Sequence, residues 1–194
     1  MSSYIGKVPT AVPLTSSDIT DGIISVAKLT STLDLSSNTV TLPSGVGGKV
    51  LQVVTQAVTQ TTGTTQIPQD NTLPQSTEGT EVATLNITPA STSNKILVTV
   101  NFQFSNNTNA IYQQSAIFRG TTCIDMHSET IQYNNAGLVM SHFIYDQPNS
   151  TSQQTYSIRV GRSGGGTWQV GSVYNNNYGT PTGGNRITLM EIAG

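Results

Sequence analysis

Three side chains with acid, base or metal-ligand chemistry alternate in one short stretch of the chain. Asp125, His127 and Glu129 are spaced two residues apart, so on an extended strand all three project from the same face. Two carboxylates and an imidazole on one face can in principle bind a divalent metal. Alternating polar residues on a strand more often form a solvated face, so the sequence favours a polar surface and predicts no metal or other cofactor.

The remaining reactive residues form no enzymatic motif. His142 lies inside an apolar run and is predicted to be a hydrogen-bonded, half-core residue and not a general base. Cys123 is the only cysteine, which excludes an internal disulfide and a CxxC site, and it is predicted to be an inert, half-buried thiol. The sequence contains no GxSxG elbow, P-loop, HExxH or Rossmann fingerprint. No catalytic residue is therefore predicted. The remote enzymatic alternative is a glycan depolymerase using Asp125 and Glu129 as a carboxylate pair.

A candidate ligand-binding segment lies between Gly161 and Asn185 and is rich in Gly, Asn and aromatic residues. Flat aromatic rings can stack on sugar faces while Asn amides bond to hydroxyls, and loops on a rigid β scaffold commonly carry recognition. The candidates are Trp168, Tyr174, Asn175, Asn176, Asn177 and Tyr178. The alternative is that Trp168 and Tyr174 pack inside and that the Asn run is only a turn.

The composition indicates which elements must position these residues. Thr, Ser, Asn and Gln occupy 80 of 194 positions, and charged residues make up 9% of the chain against about 25% in typical proteins. Thr favours strands, and Asn, Ser and Gly favour turns, so the chain is predicted to be all-β. With a formal charge of -2 there is no basic stripe, so no nucleic-acid partner is predicted. No apolar run approaches the roughly 20 residues of a membrane span, so no membrane insertion is predicted.

Period-two patterning predicts strands throughout residues 49–194. In one strand Ile96, Val98, Val100, Phe102 and Phe104 alternate with mostly polar residues. Further strands are predicted at Lys49–Thr55, Glu81–Thr88, Ala110–Phe118, Leu138–Asp146, Thr155–Gly161, Thr167–Ser172 and Arg186–Ile192. About eight strands with turn residues between them predict an antiparallel β-sandwich head domain with a jelly-roll topology. Residues 56–79 are predicted to be a long loop that covers a seam between subunits.

Two predicted strands are apolar on both faces. Ile187 and Leu189 point away from Met190 and Ile192, and Val139, Phe143 and Tyr145 oppose Leu138, Met140 and Ile144. One face can serve the domain core, and the second needs cover from a neighbouring subunit or from a loop of the same chain. Glu191 on such a strand is expected at an exposed edge or paired.

Residues 1–48 are predicted to be a separate N-terminal segment with an extended anchor and a short stalk. Prolines keep its first dozen residues extended, and its apolar side chains have no core of their own. Such a peptide can dock on the sheet edge of another protein, whereas the alternative is a disordered tail. The anchor residues are Tyr4, Ile5, Val8, Pro9, Val12, Pro13 and Leu14. The capping-box form of Thr15–Asp18 predicts a short helix after them.

Four blocks of the sequence resemble bacteriophage tail-fibre and fibre-like virion proteins. They are Ser3–Leu29, Gly47–Val54, Ile87–Val98 and Ile187–Ile192. The resemblance implies a homotrimeric structural protein of the virion, most often in the tail, that is synthesised in the host cytoplasm. It also implies that the N-terminus attaches to other virion proteins, such as a tail adaptor, a nozzle or portal-proximal components. The sequence departs from the long members by lacking repeated shaft segments.

Two functions follow from this resemblance and remain open. The first is a short tail fibre whose β-sandwich head binds a glycan or protein of the host surface. The second is a decoration or joining protein of the head or tail that reads no receptor.

Overall fold

The computed structural model describes residues 49–108, 110–172 and 184–194. The regular elements in these ranges are all β-strands, which confirms the predicted all-β class. They are β1 (Val50–Ala57), β2 (Thr61–Gly63), β3 (Thr80–Ile87), β4 (Lys95–Asn106), β5 (Ile111–Arg119), β6 (Thr122–Ile131), β7 (Gly137–Asp146), β8 (Gln154–Arg162), β9 (Trp168–Val170) and β10 (Arg186–Ile192). Gly48–Gly194 form one unit. The predicted anchor and stalk lie outside the described residues.

The strands form two antiparallel sheets. The six-stranded sheet has the order β1-β10-β4-β9-β2, and β7 pairs with the other edge of β4. The four-stranded sheet has the order β3-β8-β5-β6. Without the short strands β2 and β9, the orders β1-β10-β4-β7 and β3-β8-β5-β6 are those of a jelly roll. The predicted antiparallel sandwich with jelly-roll topology is therefore confirmed.

The hydrophobic core lies between the two sheets and follows the alternation of β4. Its inward-facing residues are fully or almost fully buried, as predicted: Ile96, Val98, Val100, Phe102 and Phe104. They share one cluster with Ile117 of β5 and with Ile158 and Val160 of β8. Burying a side chain of this size stabilises the fold by about 1.5–3 kcal/mol relative to leaving it exposed. These contacts hold the two sheets face to face.

The last strand, β10, is central and not at an edge. It pairs with β1 on one side and with β4 on the other, and its residues alternate between buried and half-buried. Glu191 is buried and its carboxylate is paired through hydrogen bonds, so of the two expected alternatives, an exposed edge or a paired carboxylate, the structure shows the second. Its oxygens accept from Gln52 Nε2, from the Ala90 amide and from Asn94 Nδ2, each at 2.6 Å.

The segment between β1 and β3 differs from its prediction. It contains the short strand β2, and the fully buried Ile67 packs against Ala116 and Phe118 on the outer side of the four-stranded sheet. The Ile67 amide donates to the Arg162 carbonyl at 3.0 Å. The segment therefore covers a sheet of its own chain, and its predicted role in covering a subunit seam stays a prediction. Cys123 is half-buried beside the same cluster, as predicted.

Candidate functional site

The structure brings two of the sequence-predicted reactive residues together with a serine that the sequence did not single out. His142 of β7 lies between the two sheets, and its Nδ1 donates to Asp125 Oδ2 of β6 at 2.6 Å. Its Nε2 lies 2.6 Å from Ser115 Oγ of β5 and accepts from that hydroxyl. Because a carboxylate can only accept, the Asp125 contact fixes this neutral tautomer.

The atomic order of Ser115, His142 and Asp125 is that of a serine-hydrolase triad. A nucleophile must reach a substrate, however, and Ser115 has 0% of its surface exposed while His142 has 3%. The arrangement instead joins the two sheets by hydrogen bonds, which fits the prediction that His142 is a hydrogen-bonded residue of the half-core.

The electrostatics of His142 follow from its burial. Desolvation lowers the pKa of the imidazole, while the hydrogen bond and charge of Asp125 act in the opposite direction and the nearby His127 adds to the lowering. The two imidazole rings meet edge to face with centroids 5.7 Å apart. His142 is thus held in its neutral form, with one donor and one acceptor both satisfied.

The three residues considered for a metal site, Asp125, His127 and Glu129, make separate contacts in the structure. His127 Nε2 lies 3.1 Å from Glu129 Oε1, and its Nδ1 lies 3.1 Å from the Ser141 carbonyl, whereas Asp125 bonds to His142. In residues 49–108, 110–172 and 184–194, no group of three or more His, Cys, Asp or Glu side chains could hold a metal ion. Asp125 and Glu129 therefore engage different histidines.

Of the predicted ligand-binding residues, Trp168 lies in the hydrophobic core. Its indole is 0% exposed, meets the Phe104 ring edge to face at 6.0 Å, and donates from Nε1 to the Thr65 carbonyl at 3.0 Å. A Cβ at Gly63 would overlap this ring, so glycine is needed there. The position favours the packing alternative over stacking on a sugar. Tyr174, Asn175, Asn176, Asn177 and Tyr178 lie outside the described residues, as do all seven anchor residues.

The outer face of the six-stranded sheet carries an apolar half. The register places four apolar side chains in one row across β1, β10, β4 and β7: Val53, Met190, Leu97 and Tyr145. Val53 is 54% exposed and Tyr145 is 61% exposed, and Val50 and Leu51 at the start of β1 are also exposed. Tyr145 and Met190 belong to the second apolar faces that the sequence predicted for β7 and β10, whereas Val139 and Phe143 of the same predicted face lie in the other half of the sheet.

The other half of the same face is concave and is lined by both polar and apolar residues. One hollow of about 380 Å³ is lined by Asn101, Gln103, Val139, Gly171, Ser172, Gly184 and Asn185. A second hollow of about 410 Å³ is lined by Thr99, Val100, Asn101, Ser141, His142, Phe143, Gly184, Arg186 and Thr188. The hollows share Asn101 and Gly184, so they form one continuous depression, called here the polar hollow.

The polar hollow was missed by reasoning from the sequence. Thr99, Asn101 and Gln103 alternate with apolar residues along β4, and this pattern by itself predicts only the solvated side of a strand. Their neighbours Ser141 and Arg186 are brought beside Asn101 by pairing of β7 and β10, which a single sequence does not reveal.

Comparison of the sequence with protein-family models finds no match, and comparison with curated proteins finds none either. Among the described residues, no helix has the length and apolar character needed to cross a membrane.

Solved structures show remote likeness in β-domains. The VP2 subviral particle of infectious bursal disease virus is 9% identical with a TM-score of 0.43, and the match covers 74% of this chain and 33% of that one. Tailspike protein 4 of bacteriophage CBA120 is 15% identical with a TM-score of 0.29, covering 72% and 19%. The C-terminal CBM6 of LamC from Zobellia galactanivorans is 12% identical with a TM-score of 0.30, covering 72% and 99%. Likenesses this remote add nothing to what the strand order itself shows.

Proposed function

We propose that this chain is a structural subunit of a bacteriophage virion, a short tail fibre with a β-sandwich head. In this proposal the N-terminal segment attaches to other virion proteins, and the head assembles as a homotrimer that faces the host surface. The proposal combines the resemblance of four sequence blocks to fibre-like proteins with one structural observation. That observation is the apolar half of the outer sheet face.

The apolar half has the anatomy of a subunit interface. Its row of Val53, Met190, Leu97 and Tyr145 crosses four strands. Leu97, in the middle of the row, is only 9% exposed even in the single chain. Polar residues border it, with Lys95 at one end and a row of threonines at the other. An apolar centre with a polar rim is typical of association surfaces. A second copy of the chain is the partner that fits, because few charges oppose contact between like surfaces.

The assembly is tested by placing a charge within the apolar half. Tyr145→Asp should lower the mass of the purified full-length protein from an oligomer to a single chain, because a buried unpaired carboxylate is costly. The measurement is sedimentation equilibrium. The matched control is Tyr133→Asp, since Tyr133 is 76% exposed in the segment between β6 and β7. An oligomer that persists in Tyr145→Asp would contradict this interface.

The alternative function is a decoration or joining protein that binds no receptor, and the burial of Trp168 favours it on one point. One of the six residues proposed to contact a ligand supports the core instead, so Trp168→Ala would damage the fold and cannot test adsorption. Tyr178→Ala separates the two functions. Loss of phage adsorption with normal particle assembly supports the fibre, and unchanged adsorption supports the decoration protein.

A further inference from the structure

The floor of the polar hollow contains neutral polar groups of β4 and β7, and the exposed apolar side chains of Val139 and Phe143 lie in the same rows. Among the described residues, the side-chain amides of Asn101 and Gln103 and the hydroxyls of Thr99 and Ser141 have no hydrogen-bond partner. They lie in adjacent rows of the same sheet face, because Asn101 pairs with Ser141 and Thr99 pairs with Phe143. Neighbouring strands are about 4.8 Å apart, so the floor presents a dense grid of donors and acceptors.

Phe143 stands at the edge of this grid with an unusually open ring. It is 66% exposed, and the edge-to-face contact with Tyr145, at a centroid distance of 6.0 Å, supports the ring from one side. An exposed aromatic ring offers a large apolar surface at little cost in side-chain entropy. The ring therefore forms an apolar wall beside a polar floor.

The rest of the polar hollow is shaped by residues that serve the fold. Asn185 Oδ1 accepts from the backbone amide of Gln103 at 2.7 Å, and Asn185 Nδ2 donates to the Gly171 carbonyl at 3.1 Å. Gly171 has a φ of 90°, a conformation that favours glycine. These bonds fix one wall rigidly, and rigid walls reduce the entropy cost of binding.

We propose that the polar hollow binds a short oligosaccharide, an inference that rests on the proposed host-surface function and gives it a location. A sugar has an apolar C–H face that packs on an aromatic ring and hydroxyls that both donate and accept. Phe143 supplies the ring, and Asn101, Gln103 and Ser141 supply partners for the hydroxyls. The volumes of the two hollows fall within the range of about 300–1,000 Å³ that is usual for small-ligand sites.

Other ligand classes fit the polar hollow less well. An apolar ligand would leave the amides of the floor without partners, which is unfavourable. A strongly acidic ligand would meet one cation, Arg186, among the described lining residues, and its guanidinium already donates to Thr55 Oγ1 at 3.2 Å. A neutral polyol satisfies the floor without requiring a counter-charge.

The test uses the purified full-length protein and an array of defined bacterial oligosaccharides of three to six sugars. We expect binding to a subset of the array, and Phe143→Ala and Asn101→Ala should each weaken the best hit at least tenfold. Tyr133→Ala, which removes an exposed aromatic ring outside the polar hollow, should bind as the unaltered protein does. Melting curves by circular dichroism confirm that the exposed substitutions leave the fold intact.

The outcomes separate this proposal from the proposed function. Sedimentation mass is measured on the same samples, so a failed assembly and a failed sugar site give different results. A single-chain mass with sugar binding that depends on Phe143 overturns the trimer and keeps the site. The proposed site is overturned if no sugar on the array binds. It is also overturned if binding survives both Phe143→Ala and Asn101→Trp, which places a large ring in the polar hollow.

Discussion

The carboxylate of Glu191 lies inside the sandwich and is stabilised by hydrogen bonds from Gln52, Ala90 and Asn94. Burial acts to raise the pKa of Glu191, but the hydrogen bonds from Asn94, Gln52 and Ala90 together outweigh it and hold the pKa below its usual value. The ionised form is therefore favoured by folding. This residue connects the last strand to β1 and to the loop before β4.

We expect Glu191→Gln to reduce the free energy of unfolding by about 2–3 kcal/mol at pH 7, because it puts an amide donor against three donors. A lowered folded-state pKa means that the stabilisation is present above the unfolded value of about 4.3 and is lost as the pH falls through the folded value. The difference between the two proteins should therefore shrink below about pH 4 in urea unfolding.

The control for this prediction is Glu81→Gln. Glu81 is partly exposed and lies 3.7 Å from Arg159, so its loss should change stability by less than about 0.5 kcal/mol. If Glu191→Gln and Glu81→Gln have equal effects across this pH range, the hydrogen-bonded carboxylate does not stabilise the fold as described.

At the scale of elements, the polar bridge of Ser115, His142 and Asp125 joins β7 of one sheet to β5 and β6 of the other. Burial lowers the pKa of His142, so protonation is easier in the unfolded chain than in the folded one. The stabilisation is full above the unfolded pKa of about 6.5 and is lost as the pH falls from there toward the folded value. The groups facing the ring are Asp125 and His127, both on β6.

We expect His142→Asn to lower the free energy of unfolding by about 1–3 kcal/mol at pH 7, since it leaves Ser115 without its buried partner. The variant should also lack the loss of stability that we expect for the unaltered protein as the pH falls below about 6.5. Denaturant unfolding at a series of pH values measures both effects. His127→Asn should retain that loss, and an identical pH profile for the two variants would contradict the bridge.

The elements that alternate simply were predictable from the sequence, and the polar ones were not. The inward face of β4 is uniformly apolar, so its alternation identified both the strand and the core. In β6 the inward side chains Asp125 and His127 are polar. Their hydrogen-bond partners, the His142 ring and the Ser141 carbonyl, come from β7. A single sequence cannot distinguish such an inward polar row from a solvated face. The polar hollow escaped prediction for the same reason, since its floor depends on strand pairing.

At the scale of the whole molecule, the second apolar face was predictable because Val139, Phe143 and Tyr145 oppose the core side of the same strand. The structure adds the division of that face into an apolar half and the polar hollow. The proposed assembly uses the apolar half, and the proposed sugar site uses the polar hollow.

The proposed anchor predicts that deletion of residues 1–14 separates folding from attachment. The truncated chain should fold, because the described core and the side chains packed against it begin at Val54, but it should be absent from purified particles. The measurement is the abundance of the chain in purified virions relative to a major virion protein. Incorporation of the truncated chain at the normal level would contradict the proposal that residues 1–14 attach the protein to the virion.

The mass of the unaltered protein in solution tests most directly whether neighbouring copies cover the apolar half. If neighbouring copies cover the apolar half as proposed, sedimentation equilibrium at micromolar concentration should give the mass of three chains of 20.5 kDa each. A homogeneous species with the mass of a single chain would contradict it.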